Sequence, residues 1–87
     1  MAWLLTPSMD LVNLSQAVVI YREPFTNNTQ PDSFTVRAEF EKAGPVVRLN
    51  WGLTLEGADE FIRTLTQVVT AGGVWKVEKA KTHLVEL

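Results

Sequence analysis

The stretch LEGADEFIRTLTQVVT, residues 55–70, decides the fold of this chain of 87 residues. Its apolar side chains recur every three or four positions, the period of one face of an α-helix. Thr54 is the expected N-cap, because its hydroxyl can accept a hydrogen bond from an amide of the first turn. Gly72 is expected to end the helix. The apolar positions are Leu55, Ala58, Phe61, Ile62, Leu65, Val68 and Val69.

The segment before this helix has a different period. Apolar and polar residues alternate over residues 34–41 and again over residues 46–51, as in strands with one buried side. The short connection between them predicts an antiparallel hairpin. In its second strand we expect Val47, Leu49 and Trp51 on one side and Arg48 and Asn50 on the other.

The change of period from two to 3.6 predicts an α+β fold in a single domain. We expect a small, mainly antiparallel sheet of four or five strands with one amphipathic helix packed on one face. The sheet takes residues 2–51, the helix residues 55–70, and a C-terminal strand and tail residues 74–87. The expected core is Leu5, Val18, Ile20, Phe34, Val36, Phe40, Leu49, Phe61, Ile62, Leu65 and Val69.

Two expectations concern exposed surface. The apolar face of the helix should be committed to the sheet, so the helix is interpreted as scaffold. The predicted strand over residues 17–23 is apolar on both faces, with Val18 and Ile20 on one side and Val19 and Tyr21 on the other. That pattern indicates a central strand, or an edge strand that meets a partner.

The amino-acid composition limits the classes of function that this chain can have. The chain has no cysteine, which excludes disulfides and thiolate metal sites, and its net charge of −2 argues against a generic nucleic-acid binder. No apolar run approaches the length of a membrane span, and the first residues lack a basic signal-peptide region. We therefore expect a cytoplasmic protein without membrane contact.

The sequence contains few side chains that could act in catalysis or bind a metal or cofactor. His83 has no neighbouring nucleophile or second histidine, and a catalytic base needs a third group to hold it. Glu56, Asp59 and Glu60 belong to the first turns of the helix, where its dipole favours acidic side chains. There is no P-loop or dinucleotide fingerprint. We expect no catalytic residue, metal or cofactor, and hence no enzyme.

The aromatic content instead predicts association. Three Trp and four Phe exceed what one helix on a small sheet needs. The strand after Gly73 and the tail lie outside the basic unit, and either return to the sheet or cross to a neighbouring subunit. A homo-oligomer such as a dimer, or another protein partner, is expected. The candidate interaction residues are Phe25, Trp75, Val77, Lys76, Lys79, Leu84 and Leu87.

Two alternatives remain open. Basic residues interleaved with aromatics on a sheet are typical of single-strand binders, so a small nucleic-acid-binding protein is the second hypothesis. Glutamates on the same strands make nucleic acid the less favoured partner, because the charges can pair across the sheet. The third is a small-molecule binder or enzyme using a pocket between the loop of residues 24–33 and the helix.

Two short segments resemble a pattern met in many small bacterial and phage domains. They are residues 11–18, LVNLSQAV, and the helix start formed by Gly52, Leu53, Thr54, Glu56 and Ala58. The resemblance implies the order strand, strand, hairpin, helix, and carries over no functional residue. The sequence thus predicts a small non-enzymatic accessory or regulatory interaction module, self-associating, from a bacterium or its phage.

Overall fold

The computed structural model describes residues 1–25, 33–41 and 44–87. Within these ranges the chain has an α+β fold with one α-helix, which confirms the predicted class. A short 3₁₀ turn occupies Leu14–Gln16. The elements are β1 (Ala2–Leu5), β2 (Leu11–Asn13), β3 (Val19–Pro24), β4 (Phe34–Glu39), β5 (Val46–Leu53), α1 (Leu55–Ala71), β6 (Gly73–Val77) and β7 (Leu84–Glu86).

The strands divide into two sheets, where the sequence predicted one. The first sheet has the order β2-β1-β6-β7 and the second the order β3-β4-β5. All neighbouring strands are antiparallel except β1 and β6. The parallel pair arises because α1 carries the chain across the molecule between β5 and β6, and a crossover connection is what parallel strands require.

Local signals fix both ends of α1. The Thr54 hydroxyl accepts a hydrogen bond of 3.0 Å from the Gly57 amide, which caps the first turn as predicted. Gly72 and Gly73 follow the helix with φ of 72° and 99°, values that favour glycine. The Gly73 amide donates to the Met1 carbonyl at 2.9 Å, so this reversal brings β6 alongside β1.

The core lies between α1 and the two sheets. Ala58, Phe61, Leu65 and Val68 form the buried face of the helix. Of the predicted core, the structure buries Val36, Leu49, Phe61 and Leu65, and half-buries Leu5, Ile20, Phe34, Phe40 and Ile62. Val18 and Val69 were predicted to be buried and are instead exposed, because both lie beside the outer edge of β3.

A β-bulge in β5 changes which side chains face the core. Arg48 pairs with Arg37 and Asn50 with the next residue, Val36, so Leu49 is the extra residue. Leu49 and Asn50 are therefore both buried, and Trp51 lies on the opposite face beside Arg48. The strict alternation predicted for this strand is wrong at Asn50 and Trp51 for this reason.

The C-terminal segment folds back onto its own chain. The strand β6 lies between β1 and β7, and the Leu87 amide donates to the Val74 carbonyl at 2.8 Å. Of the two arrangements predicted for residues 74–87, the structure has the one within a single chain. Most of the predicted loop over residues 24–33 lies outside the described residues.

Candidate interaction surfaces

An apolar depression lies between β3 and α1, and is called here the β3–α1 groove. Its volume is about 370 Å³. Four consecutive residues at the start of β3 form one wall, and one side of α1 forms the other. The lining residues are Ala17, Val18, Val19, Ile20, Ile62, Leu65, Thr66 and Val69.

Five of these residues belong to the predicted core, and two of the five are exposed. Val18 is 72% exposed and Val69 is 43% exposed. The apolar stripe of α1 is wider than the sheet beneath it, because in the described part of the chain β3 is the last strand of the second sheet and no further strand covers Val69. Part of the helix is therefore exposed apolar surface, which corrects its interpretation as scaffold alone.

None of the described residues that line the groove is charged. The Thr66 hydroxyl donates to the Arg63 carbonyl at 2.6 Å, so the one polar side chain in the lining is engaged within the helix. At one end, Arg22 of β3 and Asp59 of α1 form an ion pair of 2.6 Å. Because Val18 and Val69 lie toward the other end, α1 runs antiparallel to β3 along the groove.

The outer edge of β3 is unpaired among the described residues. It is six residues long, whereas the edge strands β2 and β7 have three residues each. The other edge of the second sheet is β5, and Ala80 and Lys81 lie against its C-terminal half. There the Ala80 amide donates to Oδ1 of Asn50, and Nδ2 of Asn50 donates to the Lys81 carbonyl, both at 3.0 Å. The long open edge is thus β3.

A second surface, called here the Trp51 face, lies on the side of the second sheet away from α1. Phe25, Thr35, Arg48 and Trp51 line a depression of about 190 Å³ together with Ser33 and Gly52. The Arg48 guanidinium lies 3.7 Å from the centre of the Trp51 ring, and the Lys79 ammonium lies 5.7 Å from it. These distances are those of cation–π contacts.

The seven predicted interaction residues do not form one surface. Phe25, which is 42% exposed, and Lys79 both belong to the surroundings of Trp51. Trp75 and Leu84 meet at a small cleft beside α1, where the Trp75 indole donates to the Gly72 carbonyl at 2.8 Å. Lys76 and Leu87 are exposed elsewhere.

Val77 is the exception among them, because it is only 2% exposed and belongs to the core. Its prediction as a surface residue is wrong. The strand β6 lies inside the first sheet rather than at its edge, and Val77 packs within the hydrophobic core.

His83, Asp59 and Glu60, three of the candidate residues for chemistry, form ion pairs at the surface. His83 lies 3.6 Å from the Glu78 carboxylate, and Glu60 pairs with Arg63 at 3.0 Å. Asp59 pairs with Arg22 as described. In the described ranges no three acidic or histidine side chains converge as a metal site would require. No helix there is long and apolar enough to cross a bilayer.

Sequence reasoning missed most of the β3–α1 groove, although one signal pointed to it. The strand of residues 17–23 is apolar on both faces, which indicated either a central strand or an edge strand with a partner. The structure makes β3 an edge strand. Comparisons of the chain with family models, with curated proteins and with solved structures found no match.

Proposed function

We propose that this protein is a small non-enzymatic interaction module that associates with itself and acts as an accessory or regulatory component. The observation that carries the proposal is the β3–α1 groove. It combines exposed valines, an uncharged lining and an open strand edge at one place on the surface. Large exposed apolar patches on small domains are typical of interaction sites.

Physical chemistry favours a protein partner for this groove. Full burial of a valine side chain contributes about 1.5–3 kcal/mol, and Val18 and Val69 are both available for it. The described lining of the groove has no ionisable side chain, and its one hydroxyl, that of Thr66, already donates within the helix. An apolar partner surface is therefore a better complement than a small polar molecule, and the same argument supports a non-enzymatic role.

The test is the oligomeric state of variants that place charge in the groove. We expect the wild-type chain to be dimeric by light scattering at high micromolar concentration. The double variant Val18→Asp with Val69→Asp should be monomeric, because each carboxylate would have to be buried without a partner. Both positions are exposed in the single chain, so the variant should retain its fold, which circular dichroism would check.

Val46→Asp is the matched control for this test. Val46 is 46% exposed and lies on β5, at the other edge of the same sheet. It should leave the dimer unchanged. A wild-type chain that is monomeric at high micromolar concentration would overturn the proposal, as would a dimer that survives in the double variant.

A second candidate function is binding of single-stranded nucleic acid at the Trp51 face. The supporting observation is an exposed sheet surface with Phe25 and Trp51 beside the cations of Arg48 and Lys79. Aromatic rings that stack bases, next to cations that meet phosphates, are the usual means of single-strand binding. The ion pair between Arg37 and Glu23 on this sheet reduces the free positive charge, which ranks this candidate second.

Retention of a labelled oligonucleotide at low salt tests this candidate. Binding should weaken as salt increases, because phosphate contacts release counterions. Arg48→Glu with Lys79→Glu should abolish it, whereas Arg63→Glu with Lys76→Glu makes the same charge change on α1 and β6 and should weaken it only slightly. If the wild-type chain does not retain the oligonucleotide at low salt, this function is excluded.

A further inference from the structure

We infer that the occupant of the β3–α1 groove is a second copy of this chain, whose β3 pairs antiparallel with the first β3 about a two-fold axis at Tyr21. The inference rests on the proposed function and adds the geometry of the dimer. The two three-stranded sheets would then form one continuous sheet, with a helix from each copy beside the junction. Addition of a strand at an open edge is a common mode of protein association.

The backbone of β3 determines which groups are available for this pairing. The Phe25 amide donates to the Ser33 carbonyl at 2.8 Å, so residue 25 faces β4 with its backbone groups. In an antiparallel ladder these groups point alternately toward each neighbour. With the regular register from Val19 to Pro24, Tyr21 and Glu23 therefore face β4. Ile20 and Arg22 direct their N–H and C=O groups outward.

The residues flanking this pair select one register. Pro24 has no N–H group, and the Val18 amide already donates to the Glu39 carbonyl at 2.7 Å. An axis at Ile20 would place Arg22 opposite Val18. The Arg22 carbonyl would then lack a donor, because the Val18 amide is already engaged. An axis at Arg22 would place Ile20 opposite Pro24. The Ile20 carbonyl would then lack a donor, because Pro24 has no N–H group. Only an axis at Tyr21 pairs Ile20 with Arg22 of the other copy, so that the N–H and C=O groups of both residues have partners and only the Pro24 carbonyl, at the end of the strand, lacks a donor from the other copy.

The side chains are compatible with this register. Val18 lies opposite Pro24, Val19 opposite Glu23, and Tyr21 opposite its own copy, so no two like charges are directly opposed. Because α1 runs along β3, the two-fold axis also brings the two grooves together. The two grooves then run in opposite directions, so the Val18 end of one lies beside the Pro24 end of the other, where Arg22 and Asp59 form their ion pair. A two-fold interface of this kind closes on itself and gives a dimer rather than a filament.

Cysteine cross-linking tests the register directly, because the chain has no cysteine of its own. At a two-fold axis between non-hydrogen-bonded residues the Cα atoms lie about 4.5 Å apart, within the range that a disulfide spans. Tyr21→Cys should therefore form a covalent dimer on mild oxidation. Val85→Cys, on the edge strand β7 of the other sheet, is the control and should cross-link far more slowly at the same concentration.

A mixed experiment adds a second pair that does not depend on Tyr21. Val19→Cys and Glu23→Cys should each cross-link poorly alone and should form a heterodimer when mixed, because the register places residue 19 opposite residue 23. Failure of both Tyr21→Cys and the mixture, in a chain that is dimeric by light scattering, would overturn the inference and leave self-association standing. A monomeric wild-type chain would overturn both.

Discussion

Phe61→Ala is expected to lower the free energy of unfolding by about 3–5 kcal/mol, a large part of the total for a domain of this size. Phe61 is the largest side chain that the fold buries completely, and it belongs to the face of α1 that meets the sheets. Its removal leaves a cavity that the surrounding strands can close only in part. The measurement is urea denaturation followed by circular dichroism.

Phe25→Ala is the matched control, since it makes the same chemical change at a ring that is 42% exposed at the end of β3. We expect a loss of about 1 kcal/mol or less for it. Equal stabilities for Phe61→Ala and the wild-type chain would mean that α1 does not pack on the sheets as described.

Asn50→Ala is expected to destabilise the fold by about 3 kcal/mol, because a buried polar cluster would lose its centre. Asn50 is fully buried, and its Oδ1 accepts from the amides of Ala80 and of Trp51, at 3.0 Å and 2.9 Å. Its Nδ2 donates to the Lys81 carbonyl. The substitution leaves the amides of Ala80 and Trp51 and the carbonyl of Lys81 without their side-chain partner, and the alanine methyl group cannot replace it.

The same denaturation experiment measures this loss, with Asn13→Ala as the control. The Asn13 side chain also accepts from a backbone amide, that of Ser15 at 3.2 Å, but at the surface where water can replace it. A cost near 1 kcal/mol is expected there. If the two substitutions cost the same, the cluster around Asn50 does not hold Ala80 and Lys81 against β5.

The parts of the fold that local periodicity encodes were predictable from the sequence. The helix, its Thr54 cap and its end at Gly72 follow from spacing and backbone preference, and the β4–β5 hairpin follows from alternation across a short connection. The division into two sheets and the parallel pairing of β1 with β6 were not predictable. They depend on contacts between residues about seventy positions apart, which no local pattern specifies.

The candidate site was predictable only in part, for reasons that particular residues make clear. Val69 belongs to the apolar stripe of the helix, and nothing in its spacing shows that the sheet ends before reaching it. Trp51 was placed on the wrong face because one extra residue, Leu49, shifts the alternation of β5. For residues 17–23 the sequence allowed a central or an edge strand, and only the strand order distinguishes the two.

The measurement that tests the central claim most directly is the concentration dependence of amide hydrogen exchange along β3. If copies associate through the β3–α1 groove, the amides of Ile20 and Arg22 should exchange slowly at high protein concentration and rapidly on dilution. The amides of Tyr21 and Glu23, which face β4, should stay protected at both concentrations. Rapid exchange at Ile20 and Arg22 that does not change with concentration would contradict the account.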